Sequence, residues 1–407
     1  MSGLFLLALC LVAQAALAQA PSPSPAQLVH RNSYVFAYDH ATLSGDGARF
    51  LREQTRDCQF VLLGEDHMDH ATPIFAGGLF RLLHDTHGFR HLVVEQDPVA
   101  IEATLAEPAR GDADSIAALA WRWPSLFEFD TDEDLSLLAA VGDLIPGQDA
   151  IWGVEQATGA VRYLEELVAL APDAAAAKRV RALLDAARDA DPGPRYSVNW
   201  LIAPTTAAEL ADLAAVYRAP VGSRAALLLG RLEKSAEIFG YYRRAEAGEF
   251  VGLYNNTVRE EVLKENFLAR YRPVAAQGPL PRAMFKFGAN HLYHGKNPTQ
   301  AFPIGNLAHE VAIAQGSRAY GVFVIALGDD YRTYEDYPAW MRPLLPAVEP
   351  RVPTLVDLRA LRPYQRLFKT TAPEELWQLR ALLHGYDALV LLPGSRPGER
   401  KLGGRAD

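Results

Sequence analysis

Phe60-Val61-Leu62-Leu63-Gly64-Glu65-Asp66-His67-Met68-Asp69-His70 is the stretch from which the rest of the chain can be read. Its four uninterrupted apolar residues suit a strand covered on both faces, and the run stops at a glycine followed by acids and imidazoles. Pro73 to His87 then carries Ile74, Leu79, Leu82 and Leu83 at helical spacing, with Pro73 suited to the helix start and Gly88 to its end. His91-Leu92-Val93-Val94-Glu95 reads as a second strand. A strand, a helix and a strand in this order predict parallel pairing through a right-handed crossover.

Outward from this unit the alternation continues. Ala150 to Glu155 is a third strand. Ala160 to Tyr271 is helical in pattern, with amphipathic stretches at Ala174–Ala190 and Ala207–Tyr217. Strands return at Ala283–Phe287, Ala319–Leu327, Thr354–Leu358 and Ala388–Leu392. The expectation is an α/β fold: a mostly parallel central sheet, mixed if the later strands form antiparallel edges, with helices on both faces. It occupies a single domain over residues 31–393, with a helical insertion at about 160–272.

The ends read differently. Leu4 to Leu17 is an uncharged, mostly apolar run of about 14 residues, short of the ~20 needed to span a bilayer. Ala16-Leu17-Ala18 follows as a small-residue cleavage site, so residues 1–18 read as a signal peptide. The mature chain is then expected to be periplasmic or secreted, without an integral membrane segment. Residues 19–30, including the alternating prolines Pro21, Pro23 and Pro25, suggest an extended linker. The Gly- and charge-rich stretch 394–407 suggests a disordered tail.

Composition narrows the function. The 407 residues carry a net charge of −9, with basic residues scattered. Nothing forms the basic stripe that would displace phosphate counterions, so no nucleic-acid partner is expected. Removal of the signal, and Cys10 with it, leaves Cys58, which cannot form an internal disulfide and reads as a core thiol.

Ligands of open α/β sheets bind beyond the carboxyl ends of the strands. Three strands here end on acids, Glu65, Glu95 and Glu155, and a fourth ends in Gly288-Ala289-Asn290-His291. Carboxylates at buried strand ends are costly unless paired or used. Glu65 can orient His67, which as a neutral imidazole can act as general base on water. Glu95 and His291 are its candidate partners, and Glu155, Asn290 and His294 are candidate substrate contacts. His84 and His87 fall where a helix ends and suit its dipole.

Gly64-Glu65-x-His67, the Gly88-Phe89 to Val94-Glu95 strand, Arg259-Glu260 with Asn266, and Asn290-His291 occur in this order. The set, from about Val61 to His294, resembles the erythromycin esterase-like proteins, and more distantly the ChaN-like haem-binding and Tiki/TraB proteins. The resemblance implies a hydrolase acting on an ester or related carbonyl of a small molecule. It assigns His67 as a base working without a metal, Glu65 as its orienter, Glu95 and His291 as partners, and Arg259 as the helix arginine. The esterases place two residues between the glutamate and the histidine. Here only Asp66 intervenes, as in the ChaN-like proteins, and Met68 stands where the esterase histidine would be.

Two rival readings follow. A metal-dependent hydrolase would bind zinc or manganese through His67, His70, His291 and His294, although the spacing is not the helical i, i+4 pattern. A non-enzymatic haem or iron-compound binder would need an axial His or Tyr in an apolar pocket.

Overall fold

The computed structural model describes residues 23–402, apart from 124, 194–196, 250, 252–253, 329–332, 346–351 and 371. The expected signal peptide lies outside the described residues. Among the described residues nine strands form one sheet: β1 (Ser33–Tyr38), β2 (Leu43–Gly45), β3 (Cys58–Glu65), β4 (His91–Val94), β5 (Ile151–Gly153), β6 (Ala283–Gly288), β7 (Arg318–Ala326), β8 (Thr354–Asp357) and β9 (Ala388–Leu392). Their order is β2-β1-β8-β9-β7-β3-β6-β4-β5. Every pairing from β9 across to β5 is parallel, while β8 with β9, β1 with β8 and β1 with β2 are antiparallel. The sheet is thus α/β and mixed, with its antiparallel strands gathered on one side.

The continuous apolar runs follow from cover on both faces. Val61 and Leu63 of β3 join Phe75 and Leu79 of the helix Ala71–His87 in one core. Phe60 and Leu62 point the other way, into a second core with Phe267, Phe285 and Ile304. Alternate side chains of one strand therefore feed two cores, and neither face can be polar. Between β5 and β6 the chain is helical, including Val161–Ala169, Ala174–Ala190, Thr206–Tyr217, Arg224–Glu246 and Tyr254–Ala275. Leu164, Val180, Leu213 and Leu228 of this block extend the first core.

Three local expectations need correction. Residues 25–31 are a helix and not an extended linker: Ser24 and Gln27 form a capping box, Pro25 occupies the first turn, and Leu28 and Val29 are buried. The helix after β3 starts at Ala71, ahead of Pro73, because the Asp69 carboxylate accepts from the Thr72 amide at 2.8 Å. Gly88 does end it, in the left-handed conformation at φ 71°. Residues 394–402 are not a free tail, as shown below. Cys58 is buried, and burial pushes its thiol up to about 11, which suits an inert core thiol.

Because β3, β6, β4 and β5 are parallel neighbours, their carboxyl ends emerge side by side, roughly 4.8 Å apart from strand to strand. Gly64 serves this edge through its lack of a side chain. A Cβ there would run into the hydroxyl of buried Tyr386, which donates to the Ala289 carbonyl beside the fourth strand end. Gly64→Ala is expected to lower stability by about 1–3 kcal/mol, as overpacking does. A fall in the urea midpoint with an unchanged m-value would show it; an unaltered midpoint would refute the steric account.

Candidate functional site

The four strand ends build a chain of alternating charges. Glu65, at the tip of β3, accepts from His67 Nδ1 at 3.0 Å and from Lys286 Nζ at 2.8 Å, both on Oε1. Lys286 arrives from the neighbouring β6, in register with Leu63, and also donates to Asp134 at 2.8 Å. Burial disfavours its charge, but Asp134 and Glu65 outweigh that, and its pKa is raised.

His67 stands between two carboxylates. Its Nδ1 meets Glu65, and its Nε2 lies 3.5 Å from Glu95 Oε2. The ring stacks on Phe129, with centroids 4.0 Å apart and planes 15° from parallel. Burial pulls its pKa down, but Glu95 and then Glu65 outweigh that, leaving it above the usual histidine value. Gly288 leaves room for the ring, because a Cβ there would collide with His67 Nε2.

Glu95 is the hub. It is 3 % exposed, and its carboxylate takes Arg259 Nη2 at 2.8 Å, the Gly288 amide at 2.7 Å and His291 Nε2 at 3.2 Å. Burial would raise its pKa, yet the cations His291, His67 and Arg259 hold it well below the ordinary glutamate range. His291 is clamped from its other side by Glu260, at 2.7 Å from Nδ1. Burial opposes its charge, but Glu95 and Glu260 push its pKa up to about 10, so it is an imidazolium at neutral pH. Glu260 is fixed in turn by the Ile304 amide, at 2.8 Å.

Arg259 closes the cluster from the helix Tyr254–Ala275. Its Nε and Nη2 grip Glu155 at 2.9 and 2.6 Å, and Nη2 also reaches Glu95. Glu128 Oε2 is 3.7 Å from Nη2. The third nitrogen, Nη1, makes no hydrogen bond among the described residues. About two helical turns along, Asn266 donates to the Val154 carbonyl at 2.9 Å and steadies the tip of β5.

The structure therefore brings Glu65, His67, Glu95, Glu155, Arg259 and His291 together. It places the other candidates elsewhere. His70 pairs with Glu133. His294 is exposed and stacks on His309 at 4.2 Å. Asn290 is exposed next to His291, and its carbonyl accepts from Asn297 at 2.8 Å. His67, His70, His291 and His294 do not converge on one point. Glu155 is spent on Arg259 and is not displayed to a substrate.

Four participants were missed by the sequence reading: Lys286, Asp134, Glu128 and Glu260. Lys286 left a signal, the lone charge inside the apolar strand Ala283–Gly288. Glu260 left a weaker one, as the acid that follows Arg259 in the sequence. Asp134 and Glu128 left none, since they come from a segment without strand pattern.

The carboxylate oxygens of Glu95, Glu128 and Glu155 lie within 4.8 Å of one another, a donor set that suits a divalent cation. A guanidinium already stands among them, supplying charge and directed donors. The recess beside His67, lined by Glu65, Glu95, Gln96, Phe129, Asp134 and Lys286, has a volume of about 20 Å³. That admits a water molecule and is far too small for a haem. A larger cavity of about 480 Å³, lined by Arg90, Asp149 and Arg282 among others, opens at the opposite ends of β4 and β6, away from this cluster.

Comparison with solved structures places the fold. An erythromycin esterase, EreC, solved as a mutant in its open conformation, superposes with a TM-score of 0.59 at 14 % identity, covering 91 % of this chain and 99 % of that one. A Bacillus cereus protein gives 0.55 at 12 % identity, covering 92 % and 98 %. A succinoglycan biosynthesis protein gives 0.56 at 11 % identity, covering 92 % and 97 %. The chain thus has an erythromycin esterase-like fold. No protein-family model and no curated protein matches it in sequence.

The loops that carry this cluster are held by the C-terminal segment. His70 donates to the Arg396 carbonyl at 2.9 Å and Gly398 to the Met68 carbonyl at 2.8 Å, on a loop where Met68 has a positive φ of 68°. Asp132 donates to the Glu399 carbonyl at 2.8 Å, and its carboxylate accepts from the amides of Lys401 and Leu402. The segment thus ties the His67 loop to the stretch that supplies Phe129 and then enters the helix Asp132–Leu144, whose first turn carries Asp134. Deleting residues 395–407 is expected to speed amide exchange at His70 and Asp132 while leaving β3 and β6 protected. Unchanged exchange at those two amides, read by hydrogen–deuterium exchange, would show that the segment holds nothing in place.

Proposed function

We propose that this chain is an exported hydrolase that activates water with His67 for attack on an ester or related carbonyl of a small molecule. One observation carries the reading: His67 is held between Glu65 and Glu95 at the carboxyl edge of the sheet, beside a water-sized recess. The erythromycin esterase-like fold supports it, since the structural neighbour EreC is an erythromycin esterase. Export is supported by the Leu4–Leu17 run and the Ala16-Leu17-Ala18 site. No helix among the described residues is long and apolar enough to cross a membrane.

Each group has a task. Glu65 accepts a hydrogen bond from Nδ1–H of neutral His67, which fixes the tautomer and presents Nε2 as the base. Water gives its proton to Nε2 as its oxygen adds to the carbonyl carbon, and the carbonyl π pair moves onto oxygen. Arg259, fixed by Glu155 and Glu95, offers Nη1 to the resulting oxyanion. His291, with both nitrogens held by carboxylates, neutralises Glu95 and keeps it from taking the water proton. Glu155 positions Arg259. Asn290, exposed next to His291, is the substrate contact in this reading, while His294 stacks on His309 and takes no part.

A metal is not required, because Arg259 and His291 already balance the carboxylates. Hydrolysis should persist after dialysis against a chelator; a loss restored by zinc or manganese would instead make this a metal-dependent hydrolase. Haem titration without a Soret band would remove the haem-binding alternative.

His67→Ala should reduce kcat/KM for a responsive ester by ~10²–10⁴-fold, the usual contribution of a general base. The pH profile carries the sign. His67 works only when neutral, and its folded pKa is raised, so activity should fall as pH drops through a value above the ~6.5 of an ordinary histidine. Glu65→Gln removes a carboxylate that favours the imidazolium, so this acid limb should move to lower pH. An acid limb unmoved by Glu65→Gln would mean that His67 is not the titrating base.

A further inference from the structure

Glu65, Glu95, Glu155 and Glu260 each accept a hydrogen bond at 2.9 Å or less from a side-chain cation or a backbone amide. Glu128 stands apart. Its carboxyl accepts no hydrogen bond from the described residues, its Oε2 is buried, and its nearest cation is Arg259 Nη2 at 3.7 Å. Two further carboxylates, Glu95 and Glu155, crowd it within 4.8 Å. A carboxyl so placed is better off with its proton, as like charges in one site cannot all ionise.

The placement of Glu128 is built. Gln96, the residue after Glu95, accepts from the Glu128 amide at 3.0 Å and donates to the Phe129 carbonyl at 2.5 Å. Phe129 lies on the His67 ring. The same short segment therefore roofs the base and sets a carboxyl one residue away, next to the guanidinium assigned to the oxyanion.

We propose that Glu128 is the general acid that gives its proton to the departing alkoxide. The inference rests on the hydrolase reading and deepens it. Water adds to the carbonyl carbon and leaves its proton on His67 Nε2. When the tetrahedral intermediate collapses, the oxyanion pair re-forms the carbonyl and the bond to the alkoxy oxygen breaks. The pair from that bond takes the Glu128 proton, so alcohol leaves and Glu128 becomes a carboxylate facing Arg259. The proton on His67 then passes to Glu128 through solvent, which restores both groups; ester and water have become acid and alcohol.

Charge around Glu128 fits this cycle. Burial raises its pKa most, Arg259 of the helix Tyr254–Ala275 lowers it, Glu155 of the β5 end and Glu95 of the β4 end raise it, and His67 of the β3 loop lowers it. The balance stands at about 8, so the acid is protonated at neutral pH.

An acid matters most when the leaving group is a poor one. The test compares full-length wild type and Glu128→Gln on p-nitrophenyl acetate, whose phenolate leaves unaided, and on ethyl acetate, whose ethoxide does not. The variant should lose ~10²–10⁴-fold in kcat/KM on the alkyl ester and no more than about 10-fold on the aryl ester. Equal losses on both, with wild type active, would overturn the role of Glu128 alone. Wild type inactive on both esters would overturn the hydrolase reading and the acid with it. Should Glu128→Gln fail to fold, Glu128→Asp, which keeps the acid but shortens its reach, is expected to show the same selective loss on the alkyl ester; a wild-type ratio in that variant would overturn the proposal.

Discussion

A carboxylate withdrawn from water at the end of a buried strand must be compensated within the protein, and Glu95 is the place where this chain meets that constraint. Its two oxygens gather a guanidinium, an imidazolium and a backbone amide from three separate elements. Each of those cations must be shared, because two unbalanced positive charges would be as costly as one unbalanced negative one. Glu155 therefore holds Arg259, and Glu260 holds His291. The same logic runs along the neighbouring strands, where Glu65 and Asp134 flank Lys286. The cluster is a lattice of alternating sign, rigid because the loss of any member strands another.

Rigidity has a chemical consequence. His291 and most of Arg259 are occupied by carboxylates, and the proposed chemistry falls on His67, Arg259 Nη1 and the Glu128 carboxyl. Glu128 Oε2 lies 3.7 Å from Arg259 Nη2, and the proposed chemistry uses a base, an oxyanion donor and an acid. The structural ions set the protonation states of these working groups. Glu95 and Glu65 raise His67, and burial, with Glu155 and the same Glu95, raises Glu128 against the pull of Arg259.

The sheet supplies the geometry. Adjacent parallel strands β3, β6, β4 and β5 bring their carboxyl ends into one row, so residues more than two hundred positions apart come within hydrogen-bond distance. Segments without strand pattern complete the site. The stretch that enters the helix Asp132–Leu144 adds Phe129 and Glu128, and the segment 395–402 ties that stretch to the His67 loop. A chain end that composition alone would set loose is thereby part of the architecture around the site.

The parallel α/β sheet was legible in the sequence because buried strands must be continuously apolar and their crossover helices periodic. The strand-end acids Glu65, Glu95 and Glu155, with His67 and His291, were legible because polar residues at such positions break an otherwise apolar pattern. The helix at 25–31 was hidden by its prolines, though Ser24 and Gln27 carry its cap. Asp134 and Glu128 were decided by tertiary structure alone, while Lys286 showed in the sequence only as a lone charge in an apolar strand and Glu260 only as the neighbour of Arg259. Whether a charged side chain is a solvated surface group or a buried partner depends on which opposite charge the fold lays beside it, and for Lys286 that partner lies 221 residues away. The sequence by itself determined which strands are buried and which residues end them. Only the tertiary structure decided which charges pair, because pairing is a matter of distance across neighbouring strands and loops, which no local pattern records.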